Sequence, residues 1–265
     1  MRRGQFIWGV ILVLLGGLLL GNSLGIRFPN GQSPLDLFWP IILLFLGVWI
    51  LLGVLLHPKV DTEKASVELQ GAQEASVRIS HGAGELKIHG GNVSPDLVRG
   101  MFDGGLDYNS SRKGDRLEVR MRPARDFLEF PFLGPHSRLD WDVVLNPGVP
   151  IDLKLELGAN KAILDLTDLK ITNLKLETGA SETKLILPLH GTFRADLDLG
   201  AASLEIVIPD GLSARIQTSI GAGRLRIDES RFPRVDNYYQ SPGFDNKVNS
   251  VEMTINAGAA SIQIL

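Results

Sequence analysis

Two stretches near the start of the chain are almost entirely apolar and contain no charged residue. They cover residues 6–26 and 37–56. Each has about 20 residues, the length at which a helix crosses a hydrocarbon core of about 30 Å. A short segment rich in proline, asparagine and glycine separates them, so the pattern predicts a two-helix transmembrane hairpin over residues 1–57.

Basic residues flank the outer ends of this hairpin. Arg2 and Arg3 precede the first span, Lys59 and Lys64 follow the second, and only Arg27 lies in the connecting turn. Because basic flanks are retained in the cytoplasm, both ends are expected there, in a protein of the plasma membrane with two spans.

Glycines recur at every fourth position of the first span, at Gly17, Gly21 and Gly25. A face of small residues allows helices to approach closely. We expect the first span to pack against the second through these glycines, and dimerisation through the same face is the alternative.

From residue 58 onward the pattern changes to a repeat built around a Gly-Ala pair. Apolar residues recur three and five positions before the glycine and four and six positions after it. This period of two on both sides is typical of strands with one buried face. The central four copies are 21 residues apart, and the six copies begin at Gly82, Gly158, Gly179, Gly200, Gly221 and Gly258.

The Gly-Ala pair is expected at a tight corner, where a side chain would obstruct the turn or a neighbouring strand. Further turns are predicted at residues 147–148, 188–191 and 209–211, which contain Pro and Gly. A single strand–corner–strand unit cannot bury its apolar face, so the units are expected to stack around one core. The predicted fold of residues 58–265 is therefore an all-β, solenoid-like repeat domain.

Two irregular segments interrupt the repeats, near residues 92–146 and 229–249. The first is expected to contain strands around residues 97–102, 116–122 and 141–145. Aromatic residues in both segments are candidate partner-binding residues, because exposed aromatics mark interfaces. The alternative is that they cap the open ends of the stack. The candidates are Phe127, Phe130, Phe132, Phe232, Tyr238, Tyr239 and Phe244.

No set of residues in the sequence predicts catalysis. The chain has no cysteine, and its five histidines lack the spacing of a helical metal site. His81, next to the first Gly-Ala pair, is expected at a solvated or edge position. Asp140 and Asp142 lie on one face of a predicted strand, but strand surfaces often carry such pairs. We expect a non-enzymatic protein with no cofactor and no small-molecule substrate.

The net charge of −3 gives no basic field for nucleic acid.

Two sequence features resemble known bacterial proteins. Residues 22–25 (Asn-Ser-Leu-Gly) and 37–44 (Leu-Phe-Trp-Pro-Ile-Ile-Leu-Leu) are similar to the transmembrane region shared by LiaI and LiaF proteins. The Gly-Ala repeats, the Tyr-Tyr-Gln-Ser-Pro sequence of residues 238–242 and the final Gly-Ala-Ala-Ser-Ile-Gln-Ile resemble the toastrack and adhesin-like β domains often attached to that hairpin.

The LiaF resemblance implies a negative regulator of cell-envelope-stress two-component signalling that acts on a sensor histidine kinase. The expected partners are the lipid bilayer, such a kinase or a second copy of the chain. The alternative function is a structural or adhesive envelope module with its β domain outside the cell. The side of the membrane on which the β domain lies distinguishes the two.

Overall fold

The computed structural model describes residues 62–124, 139–246 and 248–265, together with four isolated positions among the first 50 residues. The predicted hairpin with its three glycines lies outside the described residues, as do Phe127, Phe130 and Phe132. Within the part of the chain that is described, no helix is long and apolar enough to cross a membrane.

The described residues 62–124, 139–246 and 248–265 belong to one compact unit, the β domain. Apart from one short 3-10 turn at Phe244–Asn246, its regular elements are all strands. The strands are β1 (Thr62–Glu68), β2 (Glu74–Gly90), β3 (Asp96–Asp103), β4 (Leu106–Lys113), β5 (Arg116–Pro123), β6 (Trp141–Leu145), β7 (Pro150–Asp165), β8 (Lys170–Ile186), β9 (Thr192–Val207), β10 (Ser213–Ile227), β11 (Arg234–Val235), β12 (Tyr238–Gln240) and β13 (Ser250–Ile264).

The six strands that carry the Gly-Ala pairs form a parallel ladder in the order β2, β7, β8, β9, β13 and β10. The pairs lie in register, with Ala159 opposite Ala83 on one side and Ala180 on the other. The repeat prediction is therefore confirmed. Each repeat is, however, one strand of 15–17 residues and not two separate strands, because pairing with the neighbours continues on both sides of the corner. We call the part before the Gly-Ala pair the first arm and the part after it the second arm.

The side-chain alternation changes phase at each Gly-Ala pair. In β7 the buried residues include Leu153, Leu155 and Leu157 before the pair, and Ala162 and Leu164 after it. The period of two is therefore displaced by one residue at the corner. As a result, the apolar sides of both arms join a single core that extends through the whole ladder.

The glycines of neighbouring strands stack directly on one another. A Cβ atom at Gly158 would lie 2.2 Å from the carbonyl oxygen of Gly82, and one at Gly200 would lie 2.5 Å from that of Gly179. These distances are too short for any side chain. The prediction that the glycine makes room for a neighbouring strand is thus confirmed.

The order of the last two repeats differs from the order in the chain. The sequence predicted stacked units interrupted by residues 229–249, without an order for the strands. In the structure β13 lies between β9 and β10, and the insertion contributes β12 to the outer edge of β10. Thr218, Arg224 and Arg226 make β10 more polar than β13, which suits β10 to an edge position.

The opposite end of the ladder is covered along both arms of β2. β5 pairs with the first arm and β6 with the second, and β3 and β1 extend the sheet beyond β6. The strands predicted near residues 97–102, 116–122 and 141–145 are confirmed as β3, β5 and β6, while β1 and β4 were not predicted. Trp141 packs edge-on against Phe102, with ring centroids 5.0 Å apart, and this contact closes the core at that end.

Candidate functional site

The outward side chains of the first arms form a ladder of alternating charges. The Nζ atom of Lys154 lies 2.9 Å from Glu156 and 3.2 Å from Glu177, and Lys175 lies 2.9 Å from Glu177. Hydrogen bonds from Lys154 and Ser80 lower the pKa of Glu156, and those from Lys175 and Lys154 lower the pKa of Glu177. Because these charges neutralise one another, this face resembles a solvated sheet surface more than a site for a charged ligand.

An open groove of about 950 Å³ follows the stacked glycines across the ladder. It is lined by Gly158, Gly179 and Gly200 and by Glu156 and Glu177, among others. Within the described ranges, no group of three or more His, Asp or Glu residues could hold a metal ion. The described lining of the groove therefore offers backbone surface and the ion-paired carboxylates of Glu156 and Glu177.

His81 is buried, so the expectation of a solvated or edge position is wrong. Its Nε2 atom lies 2.8 Å from the carbonyl oxygen of Leu139, and its Nδ1 atom lies 3.4 Å from Nδ2 of Asn160. Burial lowers the pKa of His81, although the hydrogen bond to Leu139 and the charge of Asp140 oppose this shift. A neutral imidazole that donates from Nε2 and accepts at Nδ1 satisfies both contacts.

The repeat offset gives the reason for this burial. His81 pairs in register with Leu157, and both residues immediately precede a repeat glycine. In β9 the equivalent residue is Leu199, which is also buried. His81 therefore occupies an inward position of the repeat, and comparison of the copies at this offset could have identified it.

The two aspartates that flank Trp141 contact different groups. Asp140 accepts a hydrogen bond from the backbone N–H of Glu85 at 3.1 Å, while Asp142 lies 3.3 Å from Nε2 of His89. Both contacts link β2 to the segment that contains β6. The carboxylates thus act as separate links between strands, which agrees with the structural interpretation of this pair.

Arginines hold the aromatic residues of the C-terminal insertion. The guanidinium of Arg215 lies 4.5 Å from the ring centroid of Phe244 and 5.5 Å from that of Tyr238. Arg215 also donates hydrogen bonds to Gln240 at 2.6 Å and to Asp245 at 2.8 Å. These contacts clamp the insertion onto the first arm of β10.

The candidate aromatics in this insertion differ in exposure. Phe232 and Phe244 are only 1% and 7% exposed, which supports the alternative that they cap the stack. Tyr238 and Tyr239 are half-buried and therefore keep some surface available to a partner. Of the four candidates in the described part of this insertion, the two tyrosines are the better placed for binding.

The outer edge of β10 is covered along its first arm only. β12 pairs with Arg215–Gln217, and no other strand in the described ranges pairs with this edge. Leu225 and Ile227 are half-buried, whereas their register partners in β13, Ile262 and Ile264, are each 1% exposed. The repeat pattern predicts core positions for these β10 residues, and it does not identify the edge because it leaves the stacking order open.

The family model for the N-terminal domain of toast_rack, DUF2154, matches residues 57–207. The chain belongs to the toast_rack family. The toastrack part of the sequence resemblance is thereby confirmed, and the match extends through β9 of this toast_rack chain. The LiaF part of the resemblance stays a prediction.

The solved structures that match include one with a similar fold. It is a candidate cell adhesion protein from Clostridium sporogenes, with a TM-score of 0.63 and 22% identity over 77% of this chain and 99% of that chain. At this identity the likeness shows the fold alone, a mostly β domain with a parallel solenoid-like ladder. A candidate adhesin from Bacteroides fragilis aligns over 79% of this chain and 98% of that chain, but its 8% identity and TM-score of 0.20 carry no argument. No curated protein matches the chain.

Proposed function

We propose that this toast_rack chain is a non-enzymatic, membrane-anchored protein-binding module of the bacterial envelope. The observation that carries the proposal is the construction of the β domain. Its six in-register strands share one core, and its charged first-arm side chains pair largely with one another. Such a ladder is suited to present its ends and insertions to another protein.

The partner that we propose is a membrane signalling protein, and the LiaF resemblance favours a sensor histidine kinase. The two apolar spans would hold the β domain close to a partner in the same membrane and raise its effective concentration there. The basic flanks of the predicted hairpin favour cytoplasmic ends, where the domain could reach the kinase. No cofactor or small-molecule substrate is part of this proposal.

A second candidate function is a structural or adhesive envelope module with the β domain outside the cell. The fold likeness to the candidate cell adhesion protein of Clostridium sporogenes favours it. The two functions require opposite locations of the domain. A C-terminal alkaline phosphatase fusion tests this, because the enzyme is active only outside the cytoplasm, and a fluorescent-protein fusion provides the complementary signal.

Partner capture tests the binding function directly. We expect Tyr238→Ala combined with Tyr239→Ala to weaken the recovery of a crosslinked membrane partner of the full chain. Tyr108→Ala is the matched control, because Tyr108 is a 44% exposed tyrosine on β4 at the other end of the ladder. Thermal melts must first show that all variants fold. Equal capture by both variants would contradict a role for the insertion, and the same comparison can be made for Phe130 and Phe132.

A further inference from the structure

The second arm of β10 is the place where the repeat ladder ends without a covering strand, within the described part of the chain. At the other end β5 and β6 together pair with both arms of β2. On β10 the pairing with β12 stops at Gln217, so the outer backbone groups of the following residues have no strand partner in the described ranges. An unpaired strand edge of this kind is a template for an added strand.

The core is also incomplete at this edge. In β13 the last two inward positions of the second arm are Ile262 and Ile264, both almost fully buried. The same positions of β10 are Leu225 and Ile227, which are only half-buried. An added strand with apolar residues at alternate positions would cover them, as each interior strand covers its neighbour.

The side chains at the outward positions of this arm indicate which charge the added strand should carry. They are Arg224 and Arg226, which are exposed and form no ion pair with the residues that the structure describes. Side chains directly opposite one another on neighbouring strands interact, so acidic residues in the added strand would pair with both arginines. The edge thus matches a segment with alternating acidic and apolar residues.

A second copy of β10 fits this edge poorly. In a two-fold antiparallel pair each copy keeps its outward side chains on the same face of the sheet, so the arginines of the two copies would lie near one another and repel. Charge therefore favours a different, acidic partner.

We propose that the second arm of β10 binds an extended segment of a partner protein, with alternating acidic and apolar residues, as an additional strand of the ladder. This rests on the proposed protein-binding function and specifies the chemistry of the partner. The segment would contribute carboxylates towards Arg224 and Arg226 and apolar side chains towards Leu225 and Ile227.

A peptide based on the last strand of the ladder provides the probe. The sequence Ala-Gly-Ala-Ala-Glu-Ile-Glu-Ile-Leu copies residues 257–265, with glutamate in place of Ser261 and Gln263, which lie opposite the two arginines on the inner edge. A control peptide has lysine at both substituted positions. Fluorescence anisotropy with the full chain in nanodiscs should show tighter binding of the glutamate peptide, by about tenfold for two exchanged cross-strand charge pairs.

Charge reversal of the protein should invert this preference. The variant with Arg224→Glu and Arg226→Glu should bind the lysine peptide more tightly, because both changed side chains are exposed and the fold should be retained. The variant with Lys161→Glu and Lys184→Glu changes the net charge equally on interior strands, and it should keep the original preference. Hydrogen exchange should show peptide-dependent protection within residues 218–227.

Three results would overturn the inference. The first is that the two peptides bind with equal affinity or that neither binds. The second is that the peptide protects only strands other than β10 from hydrogen exchange. The third is a concentration-dependent dimer that protects residues 218–227 without peptide. The last result would assign the edge to a second copy. These results do not depend on the topology or capture experiments, so a failed kinase partner and a failed strand site can be told apart.

Discussion

Alanine substitutions at three glycines of the ladder test whether the stacked corner excludes side chains. Gly82, Gly179 and Gly158 all immediately precede a repeat alanine, and none of them has a positive φ. Among the residues that the structure describes, a Cβ at Gly82 would meet no atom within 4 Å, one at Gly179 would lie 3.2 Å from the Gly158 carbonyl oxygen, and one at Gly158 would lie 2.2 Å from the Gly82 oxygen. The three sites thus share a backbone requirement and differ in the space available.

The expected stabilities follow this order of distances. Gly82→Ala should stabilise the domain by about 0.4–1 kcal/mol, because alanine restricts the unfolded chain at a permissive site. Gly158→Ala should destabilise it by about 1–3 kcal/mol, since the strand or its neighbour must move to remove the overlap. Gly179→Ala should lie between them, because a displacement of a few tenths of an ångström relieves its contact.

Urea unfolding of residues 60–265 measures these differences. This fragment retains one tryptophan, Trp141, which is buried between His81 and Phe102 and reports on the end of the ladder nearest Gly82 and Gly158. Circular dichroism follows the whole ladder in parallel. Equal stability of the Gly82 and Gly158 variants would refute the idea that close stacking of strands requires glycine at the corner.

Three further perturbations test the register, the strand order and the buried histidine. Leu176→Asp should destabilise the domain by several kcal/mol, because it buries a carboxylate. Glu177→Lys should cost about 1–2 kcal/mol, because it replaces exposed ion pairs with Lys154 and Lys175 by repulsion; equal melting temperatures would reject the register. Removal of residues 249–265 should abolish hydrogen-exchange protection of β10 as well as of the missing strand, since β13 lies between β9 and β10; loss confined to the chain end would contradict this order. For His81, the folded-state pKa lies below the ordinary value of about 6.5, so unfolding takes up a proton and stability should fall as the pH decreases below that value. His81→Leu should reduce this pH dependence, and an unchanged slope would show that other groups cause it.

The repeat could be predicted from the sequence because its alternation is strong on both sides of each glycine. Leu155 and Leu176 stand at the same offset in consecutive copies, and the structure buries both completely. The continuity of each strand through the corner was not predicted, because a Gly-Ala pair between two alternating runs is equally typical of a turn. Only the pairing of neighbouring backbones shows that the hydrogen bonding continues.

The order of the strands could not be read from local patterns. Both β10 and β13 have a period-two pattern and the same Gly-Ala corner, so either could pair with β9. The distinguishing features are the polar Thr218 and the two arginines of β10, which an interior strand would bring next to further neighbours. The same limit applies to the candidate partner-binding residues. The sequence does not distinguish the buried Phe232 from the half-buried Tyr239, because their exposure depends on how the insertion packs on β10.

The two ends of the ladder raise the question of why one arm of β10 is open. A protective explanation is available, because exposed arginines on an edge strand prevent edge-to-edge aggregation. That explanation accounts for Arg224 and Arg226. Leu225 and Ile227 pack partly against the core, and a binding edge would also use the part of each side chain that stays exposed. Leu225→Thr and Ile227→Thr therefore separate the two explanations, because they should abolish binding of the glutamate peptide if the edge is a binding site. If the edge is only protected, they should change the solubility of the chain and no binding equilibrium.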